Sequence, residues 1–285
     1  MNKISVFGSS GFIGSHFCDR MYPDEIEVAF PNWIPHGNEV LYLISTTDNY
    51  NIQFDPHLDI NTNLNVLLDV LWEYRFNSNV VFNFVSSWFV YGDAELPARE
   101  DACCKPKGFY SITKKCAEDL LISFCETYNL KYRIFRLANV IGVGDKGVSH
   151  KKNALQYLIE MMSYHEPIGL YYNGNFIRDY IHVEDVCSAM KFCIDTAPVN
   201  EIINISGGRY IFRDLINYAK DELGSESYIE SIPPSKFHNV VQVKDMYLDN
   251  SKMLKYGWKP NKTAYNAIDE VIDEIRRKKV SKDNV

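Results

Sequence analysis

A short apolar run, Lys3-Ile4-Ser5-Val6-Phe7, passes directly into Gly8-Ser9-Ser10-Gly11-Phe12-Ile13-Gly14, and a helix-compatible stretch follows to Met21. Nothing else in the chain restricts its fold as strongly. Strand, glycine turn and helix in that order open a parallel α/β sheet, with free N–H groups at the helix N-terminus facing an anion. Each glycine answers a steric demand: Gly8 a tight turn, Gly11 the close approach of backbone to a pyrophosphate, Gly14 the close packing of helix on strand. Gly8, Ser10, Gly11, Phe12, Ile13 and Gly14 are therefore the expected contacts of a dinucleotide, NAD or NADP. The competing reading is a glycine turn without a ligand.

The alternation continues. Residues 25–30 predict a second strand, broken by Pro31-Asn32-Trp33-Ile34-Pro35-His36-Gly37, and Val40–Ile44 predicts a third, ending at Ser45-Thr46-Thr47. A helix over Ile60–Arg75 places Leu64, Leu67, Leu68 and Leu71 on one side. A strand at Val80–Val85, a helix from Phe109 to Tyr128 and a strand at Tyr132–Phe135 follow. Strands alternating with helices imply a parallel, doubly wound α/β sheet. Beyond Gly142 the pattern loosens. A helix over Asn153–Ser163 and an extended segment at Ile177–Ile181 precede a helix over Val183–Thr196. A strand at Glu201–Ile205 returns to the main sheet, and Ile211–Leu223 and a helix from Ala264 complete a small lobe. With 285 residues, 46% of them hydrophobic, the chain can fill one large core and such a lobe. No repeat or linker separates the two, so the expected division is interleaved: 1–142 with 183–206 around the sheet, 143–182 and 207–285 in a smaller substrate lobe.

Tyr110-Ser111-Ile112-Thr113-Lys114 puts a phenol and an ammonium four residues apart on one helix face. A neighbouring ammonium favours the phenolate and lowers its pKa from about 10, which suits the phenol to proton exchange near neutral pH. The same spacing also occurs on plain surface helices. The strand of Val80-Val81-Phe82-Asn83-Phe84-Val85 ends in Ser86-Ser87, where open α/β sheets place their ligand crevice. Ser87 can hydrogen-bond the oxygen that Tyr110 protonates, or cap a turn.

Together these segments resemble the extended short-chain dehydrogenase/reductase family, of the nucleotide-sugar epimerase/dehydratase type. Arg136-Leu137-Ala138-Asn139-Val140-Ile141-Gly142, Arg178-Asp179-Tyr180-Ile181-His182-Val183-Glu184-Asp185-Val186 and Asn204-Ile205-Ser206-Gly207-Gly208 are similar to its later motifs. Leu248-Asp249-Asn250-Ser251-Lys252 with Tyr256-Gly257-Trp258-Lys259-Pro260 is similar to its C-terminal pattern, so the likeness spans nearly the whole chain. It implies a Rossmann-like sheet and catalysis by Ser87, Tyr110 and Lys114 at the C4 oxygen of a nucleotide-diphosphate-linked hexose, with Lys114 on the nicotinamide ribose. Thr46, with Thr47, would line the cofactor or sugar pocket. Ser87, Trp88, Asn139, Arg178 and His238 would face the substrate, Arg178 gripping its phosphates. A structural role in the turn is the alternative for Asn139, and His182 and Asp185 are expected to fix the local fold. A homodimer through the Ile60–Arg75 and Tyr110 helices is implied in the same way.

The chain departs from the pattern in three places. Only roughly thirty residues separate Gly14 from Ser45, the length of one βαβ unit rather than of two crossovers, so one strand–helix unit is expected to be missing or reduced to a loop. The acid for the adenosine ribose is missing too, leaving Asn32 or Trp33 as contacts there. The family's dehydratases carry Thr-Asp-Glu where this chain reads Ser87-Trp88-Phe89, which disfavours elimination, since that step needs an acid/base pair. The family often has an arginine for the pyrophosphate about ten residues before Asp249; His238-Asn239 stand here. The expected activity is therefore a 4-ketoreductase of a nucleotide-linked 4-keto sugar or deoxysugar, with a 4-epimerase as the alternative and a non-enzymatic sensor a distant third.

The net charge of -7 and pI near 5.5 give no basic stripe for nucleic acid. Seven cysteines lack metal-ligand spacing, and an odd count fits reduced thiols in a cytoplasmic protein. No metal is expected. No apolar run approaches the roughly 20 residues of a membrane span, and the first strand leaves no room ahead of it for a targeting segment. Arg276-Arg277-Lys278-Lys279 reads as a solvated helix end.

Overall fold

The computed structural model describes residues 3–28 and 37–283. The Pro31-Asn32-Trp33 break, the adenosine contacts considered there and the end of the second strand lie outside these residues. The glycine-turn strand β1 (Ile4–Phe7) is flanked by β2 (Ile26–Val28) and β3 (Glu39–Tyr42), and the sheet continues through β4 (Val81–Ser87), β5 (Lys131–Leu137) and β9 (Glu201–Ile205). The order is β2-β1-β3-β4-β5-β9 with every pairing parallel. The usual doubly wound order has one more strand on the outer side of β2. None stands there among the described residues, in line with the short span between Gly14 and Ser45.

These strands read as apolar runs because helices cover both faces. On one face α2 (Leu58–Ile60), a π-helical turn at Asn61–Asn65 and α3 (Val66–Tyr74) form one helical stretch beside α4 (Phe109–Tyr128). They pack Leu67, Leu71, Ala117 and Leu121 against Phe82, Phe84 and Ile134. Leu68 departs from the expected apolar side and is exposed. The buried face centres on Leu67, Val70, Leu71 and Tyr74, and Leu68 lies roughly 100° round the helix from Leu67. On the other face α1 (Phe12–Ser15), continued by a π-helical turn at His16–Met21, and α6 (Val183–Thr196) bury Phe17, Val186 and Met190 with Leu41 and Phe135.

A second set of elements lies beyond the C-terminal ends of the sheet strands. Strands β6 (Asn139–Ile141), β8 (Ile177–His182) and β10 (Arg209–Ile211) form a small sheet in the order β10-β8-β6. β7 (Ile168–Tyr171) pairs parallel with β11 (Ile229–Ile232). The helices α5 (Ala154–Ser163), α7 (Phe212–Leu223) and α10 (Ala264–Asp283) share a core with Leu155, Ile159, Leu215, Ile216, Ile268 and Ile272. The short helices α8 (Lys236–Val241) and α9 (Ser251–Tyr256) complete the chain.

The motif residues around β8 act as joints. Asp179 accepts from Ser206 Oγ (2.6 Å) and from the backbone of Gly208 and Leu248. His182 caps α6 by accepting from Glu184 N–H and meets Glu270 at 2.9 Å. Asp185 accepts from the backbone of Asn261 and Lys262. His182 and Asp185 thus hold the fold, as the sequence leads one to expect.

Candidate active site

A cavity of about 840 Å³ opens beyond the C-terminal ends of β1, β3, β4 and β5 and is closed on its far side by β7, β8 and α8. Its size lies within the usual range for small-molecule sites. Gly8, Gly11, Phe12, Ile13 and Gly14 form one wall. Gly8 has φ +88°, and a Cβ on Gly14 would stand 2.1 Å from the Gly8 carbonyl oxygen, so the turn and the helix can approach only as glycines. Ser10, expected among these contacts, is exposed and does not line the cavity.

The first turn of α4 brings Tyr110 against the end of β4. Its buried phenol is hydrogen-bonded to Ser87 and to Ser45, and burial, opposed by the Ser87 bond, pushes its pKa up to about 12. One turn on, Lys114 Nζ donates to the Val85 carbonyl at 2.7 Å and sits 4.1 Å over the Phe84 ring. Burial drives its pKa down to about 7, with Glu118 opposing. This corrects the expectation that the Lys114 ammonium lowers the Tyr110 pKa. Desolvation disfavours both charged forms, and the groups acting on the phenol are Ser87, Asp59, Asp48 and Ser45.

Ser45 belongs to a polar network that spacing alone did not reveal. It donates to Asn63 Oδ1 at 3.0 Å, and Asn63 Nδ2 donates to Thr46 Oγ1 (2.8 Å) and Thr113 Oγ1 (3.0 Å). Thr46 Oγ1 donates to Asp59 Oδ1 at 2.6 Å, and Thr46 lines the cavity with Thr47. Asp59 and Asn63 are both buried on the α2–α3 stretch, Asn63 within its π-helical turn. Such turns often mark functional sites. The sequence signal was Asn61-Thr62-Asn63-Leu64-Asn65, polar residues that compete for backbone hydrogen bonds inside a helical pattern. Asp48 also lines the cavity, and its carboxyl is raised above the usual range, first by burial. Asp48 thus brings a carboxylate to the cavity from the loop after β3, while none stands beside Ser87 in the Ser87-Trp88-Phe89 segment.

The expected substrate-side residues all line this cavity. Trp88 Nε1 donates to Asn139 Oδ1 (3.2 Å), while Asn139 Nδ2 donates to the Asp179 carbonyl (2.8 Å), so Asn139 has a structural role in its turn. Arg178 donates through Nη1 to the carbonyls of Ile177 and Lys244 and through Nη2 to that of Val243. Burial lowers its pKa to about 10. His238 meets Tyr50 Oη at 3.2 Å and is lowered by burial and by Arg178.

The wall fits a dinucleotide and its substrate. Besides the glycine cradle it contains two buried polar atoms without a partner among the described residues, Ser86 Oγ and Asn49 Nδ2. The model of the NAD dependent epimerase/dehydratase family matches residues 36–206. This chain belongs to that family. The matched segment holds Ser87, Tyr110, Lys114 and the β8 motif, and it starts beyond the glycine turn. Over 96% of its length the chain is 24% identical to a putative UDP-glucose 4-epimerase of Methanocaldococcus jannaschii, covering 98% of that protein. Over 97% it is 26% identical to an Escherichia coli dTDP-4-dehydro-6-deoxyglucose reductase, covering 98% of it. The solved structure of RMD from Pseudomonas aeruginosa, complexed with NADPH, superposes with a TM-score of 0.85 at 19% identity, over 98% of this chain and 100% of that one. The chain is therefore an enzyme of the extended short-chain dehydrogenase/reductase type, in a family of nucleotide-sugar epimerases, reductases and dehydratases.

Proposed function

We propose that this enzyme is an NAD(P)-dependent 4-ketoreductase of a nucleotide-diphosphate-linked 4-keto sugar. The observation that carries the reading is Tyr110, buried beside Ser87 with a pKa near 12. At neutral pH its phenol is protonated, the state a donor to a carbonyl oxygen needs. Ser87 gives that oxygen a second hydrogen bond, which strengthens as charge develops on it. The nicotinamide, when bound, supplies the hydride. Lys114, fixed from below by the Val85 carbonyl, would hold the ribose hydroxyls with its remaining protons, and the glycine turn would hold the pyrophosphate. Among the described residues, three of the five N–H groups of Arg178 donate to carbonyls, which leaves Nε–H and one Nη2–H for a substrate phosphate. His238, neutral at pH 7, adds a hydrogen bond rather than charge there. We assign 1–142 with 183–206 to the cofactor side and 143–182 with 207–285 to the substrate side.

A 4-epimerase would use the same residues, taking the proton and later returning it, and would keep its nicotinamide between turnovers. The pared-down region beyond β2 suits a cofactor that exchanges. Turnover of a nucleotide-4-ketohexose that requires added NADPH supports the reductase. Epimerisation by protein purified with absorbing nicotinamide, and with none added, overturns it. We further propose a homodimer through α3 and α4, whose outer faces expose Leu68, Trp72, Phe109 and Ile112. Sedimentation of a Trp72→Asp variant at half the native mass is the expected result. All seven cysteines are free, which supports the cytoplasmic placement, and no helix of the described residues is long and apolar enough to cross a membrane.

A further inference from the structure

The helix that carries Tyr110 begins without a cap of its own. The N-cap residue of α4 is Gly108, which has no side chain to accept from the backbone N–H groups of the first turn. Asn49, from the loop after β3, takes that part. Its Oδ1 accepts from Ser111 N–H at 3.2 Å and from Ser111 Oγ at 3.1 Å. A Cβ on Gly108 would stand 2.5 Å from that oxygen, so the glycine makes room for the amide.

These two bonds fix which way round the amide sits. A backbone N–H can only donate, so the oxygen of Asn49 faces Ser111 and its NH2 group faces elsewhere. Asn49 is 1% exposed, and its Nδ2 has no acceptor among the described residues. A buried donor group in that state calls for a partner. Asn49 lines the cavity, as do its neighbours Asp48 and Tyr50. The Gly108 Cβ position also lies 3.1 Å from Val241 Cβ, so the amide sits where α4 meets α8. That helix brings Phe237 and His238 to the cavity from the side assigned above to the substrate. We propose that Asn49 is a sugar-binding residue, its Nδ2 donating to an oxygen of the bound sugar. This rests on the reading of the substrate as a nucleotide-linked sugar. Because Oδ1 of the same amide holds Ser111, one side chain ties the sugar to the helix turn that positions Tyr110. The carboxamide oxygen of a nicotinamide offers the same chemistry, and the test separates the two.

Asn49→Asp keeps the oxygen that caps α4 and, under alkaline conditions that ionise the new carboxylate, removes the donor. Calorimetry with UDP-glucose, dTDP-glucose and GDP-mannose, each beside its free nucleoside diphosphate, gives the ratio of sugar-nucleotide to free-nucleotide affinity. Loss of one hydrogen bond should lower that ratio about 5- to 10-fold in the series the parent binds best. The added charge works the other way, because a free diphosphate carries more negative charge than its sugar ester and is repelled more. Asn49→Leu, of similar size and uncharged, should lower the ratio at least as far. A ratio that falls in Asn49→Leu but not in Asn49→Asp marks a cap and nothing more, and overturns the inference. So does an unchanged ratio with weakened NADPH binding, which would assign the amide to the nicotinamide. A lowered ratio in both variants of a protein that turns over no nucleotide-4-ketohexose would overturn the reductase reading and leave this inference supported. Turnover with an unchanged ratio does the reverse.

Discussion

Two buried cations, Lys114 on α4 and Arg136 on β5, are treated differently. Lys114 and Arg136 are each 2% exposed. Arg136 forms a bidentate pair with Glu118, Nε to Oε1 at 3.0 Å and Nη2 to Oε2 at 2.7 Å, and adds the Glu100 carbonyl and the Tyr91 ring face. Burial works against its charge, but the hydrogen bonds and charge of Glu118 outweigh it and hold the guanidinium charged. Lys114, one turn before Glu118 on the same helix face, has a single carbonyl and a ring. Among the described residues, the carboxylate that acts on it, Glu118, is already paired with Arg136. A finished pair fixes structure; a cation left short of partners is what a ligand site needs. Tyr110, Lys114 and Glu118, spaced four apart on α4, thus pass from chemistry to scaffold within two turns.

The sharpest way to break this division is Tyr110→Phe. Losing a positioned proton donor should lower turnover about 10²- to 10⁴-fold while nucleotide binding persists. Undiminished turnover would take Tyr110 out of the mechanism. On the scaffold side, Glu118→Gln leaves Arg136 charged, buried and unpaired. It should cost about 3–5 kcal/mol in a denaturant titration, the usual penalty for breaking a buried pair. A loss under 1 kcal/mol would mean that the pair is not what holds α4 to β5.

How far the sequence foretold this division depends on the kind of interaction. The strands, α4 and the β4-to-α4 constellation were legible, because periodicity and motif spacing record backbone geometry and burial. Tyr110, Lys114 and Ser87 could be named from spacing and resemblance, and they do meet in one cavity. The electrostatics could not be read. That Lys114 lies over Phe84 and away from the phenol depends on how deeply the helix sits, which spacing does not encode. Ser45 and Asp48 reach the site from the loop after β3 and Asn63 from a π-helical turn, and no local pattern announces such a meeting. Leu68 failed for a related reason: periodicity defines a stripe, and packing chooses which edge of it faces the sheet.

Lys114→Met tests whether Lys114 is held for function at the expense of stability. Its pKa falls from 10.5 to about 7 on folding. Below pH 7 both states carry the proton and folding bears the full desolvation penalty. Between pH 7 and 10.5 the unfolded chain binds more protons, so stability rises with pH, and above that window the penalty is gone. The variant should therefore be more stable than the parent at pH 6, by on the order of a few kcal/mol, with the gain fading by pH 10. It should be inactive throughout. A gain that does not change with pH would show that Lys114 is not desolvated in this way.

The smallest effect is expected at Ser45, and it decides whether the polar network serves the phenol or only the fold. Ser45 has one hydroxyl proton, and that proton goes to Asn63 Oδ1. Its oxygen is thereby held beside the Tyr110 phenol. Asn63 is in turn fixed by Thr46 N–H at 2.9 Å and by Thr113, so the acceptor is rigid. Ser45→Ala removes one net hydrogen bond, about 1 kcal/mol or a factor of about five, and the loss should fall on kcat with KM unchanged. A structural role through Asn63 would instead lower the melting temperature and leave kcat per folded molecule intact. Ser45→Thr, which keeps the hydroxyl, should restore kcat only if the hydroxyl's position beside the phenol is what counts.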